Sequence, residues 1–108
     1  NAVCCFTCGQ FGVELHPGHY STRKVFALRW DTKRAVRPQC NPCNDLHNTR
    51  PGIYRLLLVL DIGGPEVFEV ERIAKENPRL EYSDLIAIRD GLRAELKSLA
   101  QKESREAA

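Results

Sequence analysis

Two pairs of cysteines in the chain have the spacing of zinc ligands. Cys5 and Cys8 lie in "CFTCG", and Cys40 and Cys43 lie in "CNPCN". A gap of two residues lets one tight turn present two thiolates to one ion, and zinc prefers four ligands at tetrahedral geometry. Buried thiols or disulfides are the alternative, but the cysteine count is odd and no secretion signal opens the chain. We therefore predict that these four cysteines bind one structural Zn²⁺.

The fifth cysteine, Cys4, also has an allowed spacing to Cys8. We prefer Cys5 as the ligand because Gly9 directly follows Cys8. A zinc knuckle closes with a tight turn in which a residue often adopts a positive φ, and glycine does so without steric cost. The sequence leaves the role of Cys4 open.

Two histidines, His16 and His19, lie between the cysteine pairs in "HPGHY". If zinc joins the first pair to a helix that begins at the second pair, the intervening segment must lie against that helix. Both histidines then approach Asn44, and also His47, which lies on the same helix face at i+3. This group suits phosphodiester hydrolysis, since neutral histidine accepts a proton from water and a divalent cation stabilises the phosphate charge.

Each of these four residues also has a plainer interpretation. His19 by itself is compatible with a structural histidine in a turn, and His16 with a simple hydrogen bond in a strand. Asn44 also fits an ordinary polar residue at the start of a helix, where asparagine is common. His47 fits a surface position equally well.

The elements that must position these residues differ between the two halves. Residues 1–50 contain few large apolar side chains, so this half needs a staple such as zinc to fold. Alternation there predicts short strands at 13–15, 25–30 and 35–38, with a turn at "DTKR" (31–34).

Residues 51–108 have the pattern of helices. The first, at 53–62, is apolar almost all round, so we expect it to be buried and to end at Gly63-Gly64. Pro65 should open the second helix, which Asn77-Pro78 ends. Ser83 should cap the third, and the tail 101–108 should fray. The apolar stripe of this third helix consists of Leu85, Ile88, Leu92, Leu96 and Leu99.

The charge is distributed unevenly along the chain. Residues 1–57 contain eight Lys and Arg against three acidic residues, whereas residues 58–108 contain eight against eleven. Such asymmetry suggests that the N-terminal half faces a polyanion, although chance clustering is an equal alternative. The expected phosphate contacts are Arg23, Lys24, Arg34 and Arg37. Trp30 is expected to pack in the core against the zinc knuckle, with base stacking as the lesser alternative.

The fold class that these patterns predict is a small α+β protein. We expect a zinc-bound core at 1–50 and a helical extension at 51–108 that packs on it, in one compact domain. No apolar run approaches the roughly 18 residues that a membrane helix needs, so we expect no membrane contact. The chain starts at Asn1 and contains no Met, which favours a piece of a longer polypeptide.

The motifs between and after the cysteine pairs resemble a known group. "HPGHY" between C-x-x-C-G and C-x-x-C-N is similar to the zinc-stapled form of the HNH, or ββα-metal, endonuclease superfamily. The run of "CFTCG", "HPGHYSTR", "LRWD", "RPQCNPCN", "YR" (54–55) and "GGPEVFEVE" (63–71) resembles the lambda-phage NinG (Rap) recombination proteins, over Cys5 to about Glu71. The resemblance implies an HNH-like, treble-clef-like ββα core.

The same resemblance implies roles for single residues. Cys5, Cys8, Cys40 and Cys43 match the structural zinc ligands. His19 falls where the general base lies, and Asn44 falls on the helix-borne ligand of a catalytic Mg²⁺ or Mn²⁺. His16 stands where phage endonuclease VII also has a histidine, so it is expected to complete the strand side of this cation site. His47 is a further expected ligand.

The sequence also departs from the pattern at specific positions. Gly18 replaces the aspartate that often precedes the base and binds the metal. Ala35 stands where the middle Asn of the HNH pattern is expected, and alanine has no side chain to brace the loop that carries the base. The segment "HNTR" (47–50) lacks the expected Ser-Gly-Asn.

The resemblance implies a function, and two alternatives stay open. We expect a metal-dependent endonuclease that cleaves branched DNA, such as a Holliday junction, in phage recombination in the cytoplasm of a bacterial host. A homodimer through the C-terminal helix and contacts with host or phage recombination proteins are further expectations. The first alternative is a non-catalytic zinc module that binds DNA. The second is a protein-interaction scaffold.

Overall fold

The computed structural model describes residues 3–107, and within this range it is a small α+β structure. The elements that it contains are β1 (His16–His19), α1 (Phe26–Arg29), β2 (Val36–Gln39), α2 (Asn41–Thr49), α3 (Pro51–Ile62), α4 (Gly64–Glu76) and α5 (Tyr82–Ala107). The contacts divide the chain into two compact units, Asn1–Pro78 and Arg79–Ala108. The α+β class is confirmed, while the domain boundary at residue 50 stays a prediction.

The sheet consists of β1 and β2, which pair antiparallel. His16 lies opposite Gln39, and His19 lies opposite Val36. The strand predicted at 13–15 is therefore wrong, because pairing with β2 begins only at His16. The strand predicted at 35–38 is correct to within one residue, and the turn at 31–34 is confirmed by bonds from the Ala35 and Val36 N–H groups to the Asp31 carbonyl.

The segment 25–30 is the clearest error of the strand predictions, since it contains the helical turn α1. Val25 and Leu28 are its buried residues. They are three apart, which is the spacing of a helix face, whereas a strand would bury alternate residues. Trp30, expected in the core, is 43% exposed at the end of this turn.

Two groups of buried side chains form the core of the first unit. One contains Val25, Leu28, Ala35 and Val70, and the other contains Tyr54, Leu58 and Val67. Phe6 of the first cysteine turn packs on the second group, and Tyr20 packs on both. The core of the first unit thus lies between the segment that carries the two cysteine pairs and helices α3 and α4.

Helices α3 and α4 follow the predicted boundaries closely. Pro65 lies in the first turn of α4, and Asn77 ends this helix in the left-handed conformation at φ 44°. The expectation that α3 is buried all round is wrong, because Leu56 and Leu60 are 60% and 75% exposed. The buried side of α3 is the stripe through Tyr54 and Leu58, which packs with Val67 of α4.

Helix α5 forms the second unit with the residues just before it. Ser83 is not its cap, since the helix begins at Tyr82 and the Asp84 carboxylate accepts the Glu81 N–H at 2.8 Å. The tail does not fray but stays helical to Ala107, as its Lys, Glu, Arg and Ala residues favour. Leu85, Leu96 and Leu99 are all exposed. Among residues 3–107, no helix is both long and apolar enough to cross a membrane.

Candidate metal centre and adjoining cleft

The four predicted cysteines meet at one point. The sulfurs of Cys5, Cys8, Cys40 and Cys43 all lie within 4.8 Å of one another, and the Cys8 and Cys40 sulfurs are 3.9 Å apart. Four thiolates around one zinc at about 2.3 Å stand roughly 3.8 Å apart at tetrahedral geometry. The arrangement therefore fits one Zn²⁺ held by these four residues.

Local backbone geometry prepares this cysteine cluster for a metal. Gly9 has the positive φ predicted for a knuckle, 75°, and its N–H donates to the Cys5 carbonyl. The Cys40 N–H donates to the Cys5 sulfur at 3.4 Å. Burial raises the pKa of the Cys5 thiol, but backbone N–H groups of Cys8, Cys40 and Thr7 outweigh it and lower that pKa to about 6. The turn thus favours a thiolate, which is the form that binds zinc.

The pKa of Cys43 has the opposite shift from that of Cys5. Burial, and then the neighbouring sulfurs, raise the pKa of Cys43. A second negative charge in the same small volume is unfavourable unless a cation balances it. Cys4 takes no part, because its backbone bridges to Phe11 on the other arm of the turn. The choice of Cys5 over Cys4 agrees with this arrangement.

An open cleft of about 660 Å³ lies where β1 meets α2. All three histidines of the chain line it, together with Asn44. The other lining residues are Pro17, Tyr20, Ser21, Thr22, Arg23, Asn41, Asp45, Asn48 and Pro51. The sequence predicted the histidines and Asn44 in one place, but it gave no role to Asn48, which stands one helical turn after Asn44.

His19 lies at the cleft beside two arginines. It ends β1 at the cleft and is partly exposed. Burial first, and then the positive charges of Arg23 and Arg29, lower the pKa of His19. The lowered pKa favours the neutral imidazole at pH 7, which is the form that can accept a proton. His16, at the start of the same strand, lies 3.5 Å from the Glu14 carboxylate.

His47 is held differently from the other two histidines. Its Nε2 lies 2.9 Å from the Tyr20 carbonyl oxygen, and its ring stacks against Tyr20 and Tyr54 at centroid distances of 5.8 Å and 4.8 Å. Its Nδ1 is buried and has no partner among the described residues. His47 thus fixes the residue that follows His19, and only its Nδ1 is left for a ligand.

The comparison with known families decides the identity of the chain. The family model described as "Bacteriophage Lambda NinG protein" matches residues 1–103. The chain belongs to the NinG family. No curated protein and no solved structure gives a significant match.

Two NinG-family motifs that the sequence left without a role brace this cleft. Tyr54, of the "YR" motif, donates its hydroxyl to the Gly18 carbonyl at 2.8 Å and is 1% exposed. Arg55 forms a two-point ion pair with Glu71 of the "GGPEVFEVE" motif, and Tyr20 donates to the same carboxylate at 2.9 Å. Burial and this bond raise the pKa of Tyr20 to about 12. Helices α3 and α4 therefore hold both residues that flank His19.

The position before His19 has no room for a side chain while Gln39 keeps its observed position. A Cβ on Gly18 would lie 1.9 Å from the side-chain oxygen of Gln39. Gln39 is 1% exposed, and its amide nitrogen donates to the Thr7 hydroxyl at 2.8 Å. A buried glutamine thus fills the space where a strand-side metal ligand is expected.

Ala35 compensates for its missing side chain through the backbone. It is 1% exposed and packs in the core with Val70, so an asparagine side chain has no room there. Its carbonyl accepts the Tyr20 N–H at 2.9 Å. The loop after His19 is therefore braced by a backbone bond at this position.

The four predicted phosphate contacts fall into two groups. Arg34 pairs with Asp31 and Glu66, and Arg37 pairs with Asp61 at 2.7 Å while lying over the Phe6 ring. These two arginines are structural in this fold. Arg23 and Lys24, by contrast, are exposed at the edge of the cleft and have no ion pair among the described residues.

Proposed function

We propose that the chain is a metal-dependent DNA endonuclease that cleaves branched DNA in phage recombination, as the HNH resemblance implies. The observation that carries the proposal is the convergence of His16, His19 and Asn44 on one cleft beside the cysteine cluster. Asn44 directly follows Cys43, so the zinc that fixes α2 would also fix Asn44.

The proposed reaction uses His19 as general base. His19 accepts a proton from a water molecule, whose oxygen attacks phosphorus while the bond to the leaving oxygen breaks. That oxygen takes its proton from solvent. A Mg²⁺ or Mn²⁺ ion, when bound, stabilises the charge on the phosphate and on the leaving oxygen. Asn44 and His16 would hold this cation. Their oxygen and imidazole ligands would bind it more weakly than the four thiolates bind zinc.

The braces around His19 support a catalytic site more than a passive turn. Three groups from distant elements fix the two residues beside His19: the Tyr54 hydroxyl, the Ala35 carbonyl and the His47 imidazole. Positioning of this kind matters for a base, which must stand within hydrogen-bond reach of its water.

The first test is cleavage of a labelled four-way junction by zinc-loaded protein, with no added divalent cation, with Mg²⁺ and with Mn²⁺. Cleavage only with the added ion supports the enzyme. His19→Ala should abolish it while zinc content and junction binding stay unchanged. Arg105→Ala, on α5, is the matched control and should cleave at the wild-type rate. Junction binding without cleavage under all conditions would contradict the proposal.

A non-catalytic zinc module that binds DNA is the second candidate. The feature that favours it is Gly18 under the Gln39 side chain, which leaves the cation with one fewer strand ligand than the HNH pattern supplies. The same assay separates the two candidates, because the module binds the junction and never cuts it.

The remaining proposals concern the setting of the reaction. The host cytoplasm and recombination proteins of the phage or host as partners follow from the resemblance. A homodimer through α5 would supply the second active site that symmetric cleavage needs, and the exposed Leu85, Leu96 and Leu99 are compatible with such a contact. Sedimentation with and without a junction tests it, and a monomer in both would contradict it.

A further inference from the structure

Two aromatic rings stand exposed at α1, beside the cleft. Phe26 is 52% exposed and Trp30 is 43% exposed. The Arg29 guanidinium carbon lies over both rings, 5.8 Å from the Phe26 centroid and 5.0 Å from the Trp30 centroid. We call these three residues, with Arg23 and Lys24, the α1 patch.

The fold keeps these rings outside the core. Val25 and Leu28 anchor the turn in the core, where they pack with Ala35 and Val70. Because α1 is a single helical turn, the side chains between and after these anchors point away from the core. The Arg29 guanidinium lies over both rings, yet each ring stays about half exposed. Two exposed aromatic rings on one helical turn are the kind of surface patch that marks a binding site.

The α1 patch is continuous with the candidate catalytic cleft. A shallow depression of about 450 Å³ is lined by Thr22, Arg23, Lys24, Phe26 and Arg29. Thr22 and Arg23 also line the cleft that holds His19. A chain that enters the cleft can therefore extend over Arg23, Phe26 and Arg29, and Trp30 adjoins them under the same Arg29 guanidinium.

The charge of the α1 patch selects the class of ligand. Within the described residues, Arg23, Lys24 and Arg29 make no ion pair, whereas Arg34, Arg37 and Arg55 all pair with carboxylates. Arg29 lies over the two rings, and Arg23 and Lys24 line the same depression, so the surface offers phosphate contacts and stacking contacts side by side. A strand of nucleic acid carries both complementary parts, phosphates and bases.

We propose that the α1 patch binds unpaired nucleotides of a single-stranded DNA segment next to the scissile phosphate. A base stacks on Trp30 or Phe26, and Arg23 and Lys24 contact the flanking phosphates. Bases within a duplex hide their faces in the helical stack, so only an unpaired base can use these rings. The inference rests on the proposed function and gives branch preference a structural source, since junctions and flaps expose unpaired bases.

The single tryptophan of the chain makes this directly measurable. Zinc-loaded protein without added Mg²⁺ or Mn²⁺ is titrated with an oligodeoxythymidylate of about 12 nucleotides, a length within the range of small single-strand sites. Stacking on Trp30 should quench its fluorescence. A self-complementary duplex of equal length should bind more weakly and quench less. No quench by the single strand, or equal affinity for the duplex, would overturn the inference.

Variants locate the binding on the patch. Trp30→Ala and Phe26→Ala should each weaken single-strand binding by about 5- to 150-fold, the range measured when a stacking aromatic is removed. Trp30→Phe should keep most of the affinity. Phe68→Ala is the matched control, because Phe68 is 69% exposed on α4 and does not line the depression of the patch. Equal effects of Phe68→Ala and Phe26→Ala would contradict the assignment.

The outcome separates this inference from the nuclease proposal. Binding is measured without the catalytic cation, and cleavage is measured separately on a plain duplex and on a flap. Cleavage of both at equal rates, with no quench, removes the single-strand site and leaves the nuclease standing. Quench without cleavage leaves the single-strand site standing and removes the nuclease.

Discussion

The cysteine cluster and the cleft share helix α2, yet they are assembled in different ways. The four sulfurs come from two short turns, and each turn presents its pair through local backbone geometry. The cleft takes its histidines from β1 and α2 and depends on side chains of α3 and α4 for its shape. A metal site can thus be encoded locally, whereas the proposed catalytic site depends on contacts between distant residues.

Removal of a zinc ligand should have the largest effect, because it breaks both regions at once. Structural zinc contributes roughly 10–16 kcal/mol in finger peptides, more than the usual stability of a whole domain. Cys40→Ser should therefore unfold the first unit, as measured by elemental analysis and circular dichroism. Cys4→Ser is the matched control and should keep one zinc per chain. A folded Cys40→Ser protein would show that the core stands without metal.

Removal of the proposed base should affect the cleft alone. A positioned general base contributes roughly 10²–10⁴-fold in rate, so His19→Ala should lose about that much cleavage in single-turnover assays. Asn44→Ala should also lose cleavage, and a higher Mg²⁺ concentration should recover part of it. Zinc content should be unchanged in both variants. Wild-type cleavage by His19→Ala would contradict the mechanism.

Filling the space at Gly18 should disturb both regions moderately. The Cβ of Gly18→Ala would strike Gln39, and overpacking of a tight site costs about 1–3 kcal/mol. Chemical denaturation of the zinc-loaded protein measures this loss. The double variant with Gln39→Ala should recover part of it, because the shorter side chain clears the space. An additive double variant would mean that these two side chains do not compete.

The pH dependence of cleavage sharpens the comparison further. Burial and the charges of Arg23 and Arg29 lower the pKa of His19, so the base stays neutral below the ordinary histidine value of about 6.5. As the pH decreases, the cleavage rate should therefore fall only when the pH reaches the lowered pKa of His19. In Arg23→Ala this acidic limb should move to higher pH. Zinc content at each pH is the control, since thiolates are also protonated by acid.

The smallest expected effect separates the two groups of arginines. The logarithm of the DNA-binding constant falls linearly with the logarithm of the salt concentration. Arg23→Ala should make this slope shallower by about 0.9, the value of one phosphate contact. Arg37→Ala should leave this slope unchanged and lower stability instead, because Arg37 pairs with Asp61. Equal slopes for both variants would mean that Arg23 is not a phosphate contact.

The sequence predicted what depends on short spacing. The two C-x-x-C pairs, the positive φ of Gly9 and the boundaries of α4 follow from neighbouring residues, and all agree with the structure. The sequence also predicted that the histidines lie near Asn44, because a zinc ion held by both cysteine pairs constrains where their segments lie. All of these residues line the cleft.

What the sequence could not predict depends on packing between distant elements. The segment 25–30 contains β-branched and aromatic residues, but the core buries only Val25 and Leu28, so the helix period prevails over strand propensity. The pairing of Arg34 and Arg37 with acidic groups, two of them from α3 and α4, was equally hidden. The roles of Tyr54 and Glu71 could be found only once β1 was placed against them.

The bond between Tyr20 and Glu71 spans 51 residues of sequence, which has a consequence for the order of assembly during translation. A ribosome that adds ~5–20 residues per second completes Cys43, the last member of the cysteine cluster, some seconds before it reaches Glu71. In that interval the strand that carries His19 lacks its clamp from α4. The first unit therefore completes its fold only after α4 has been made. Under the proposed function, cleavage would also begin only then.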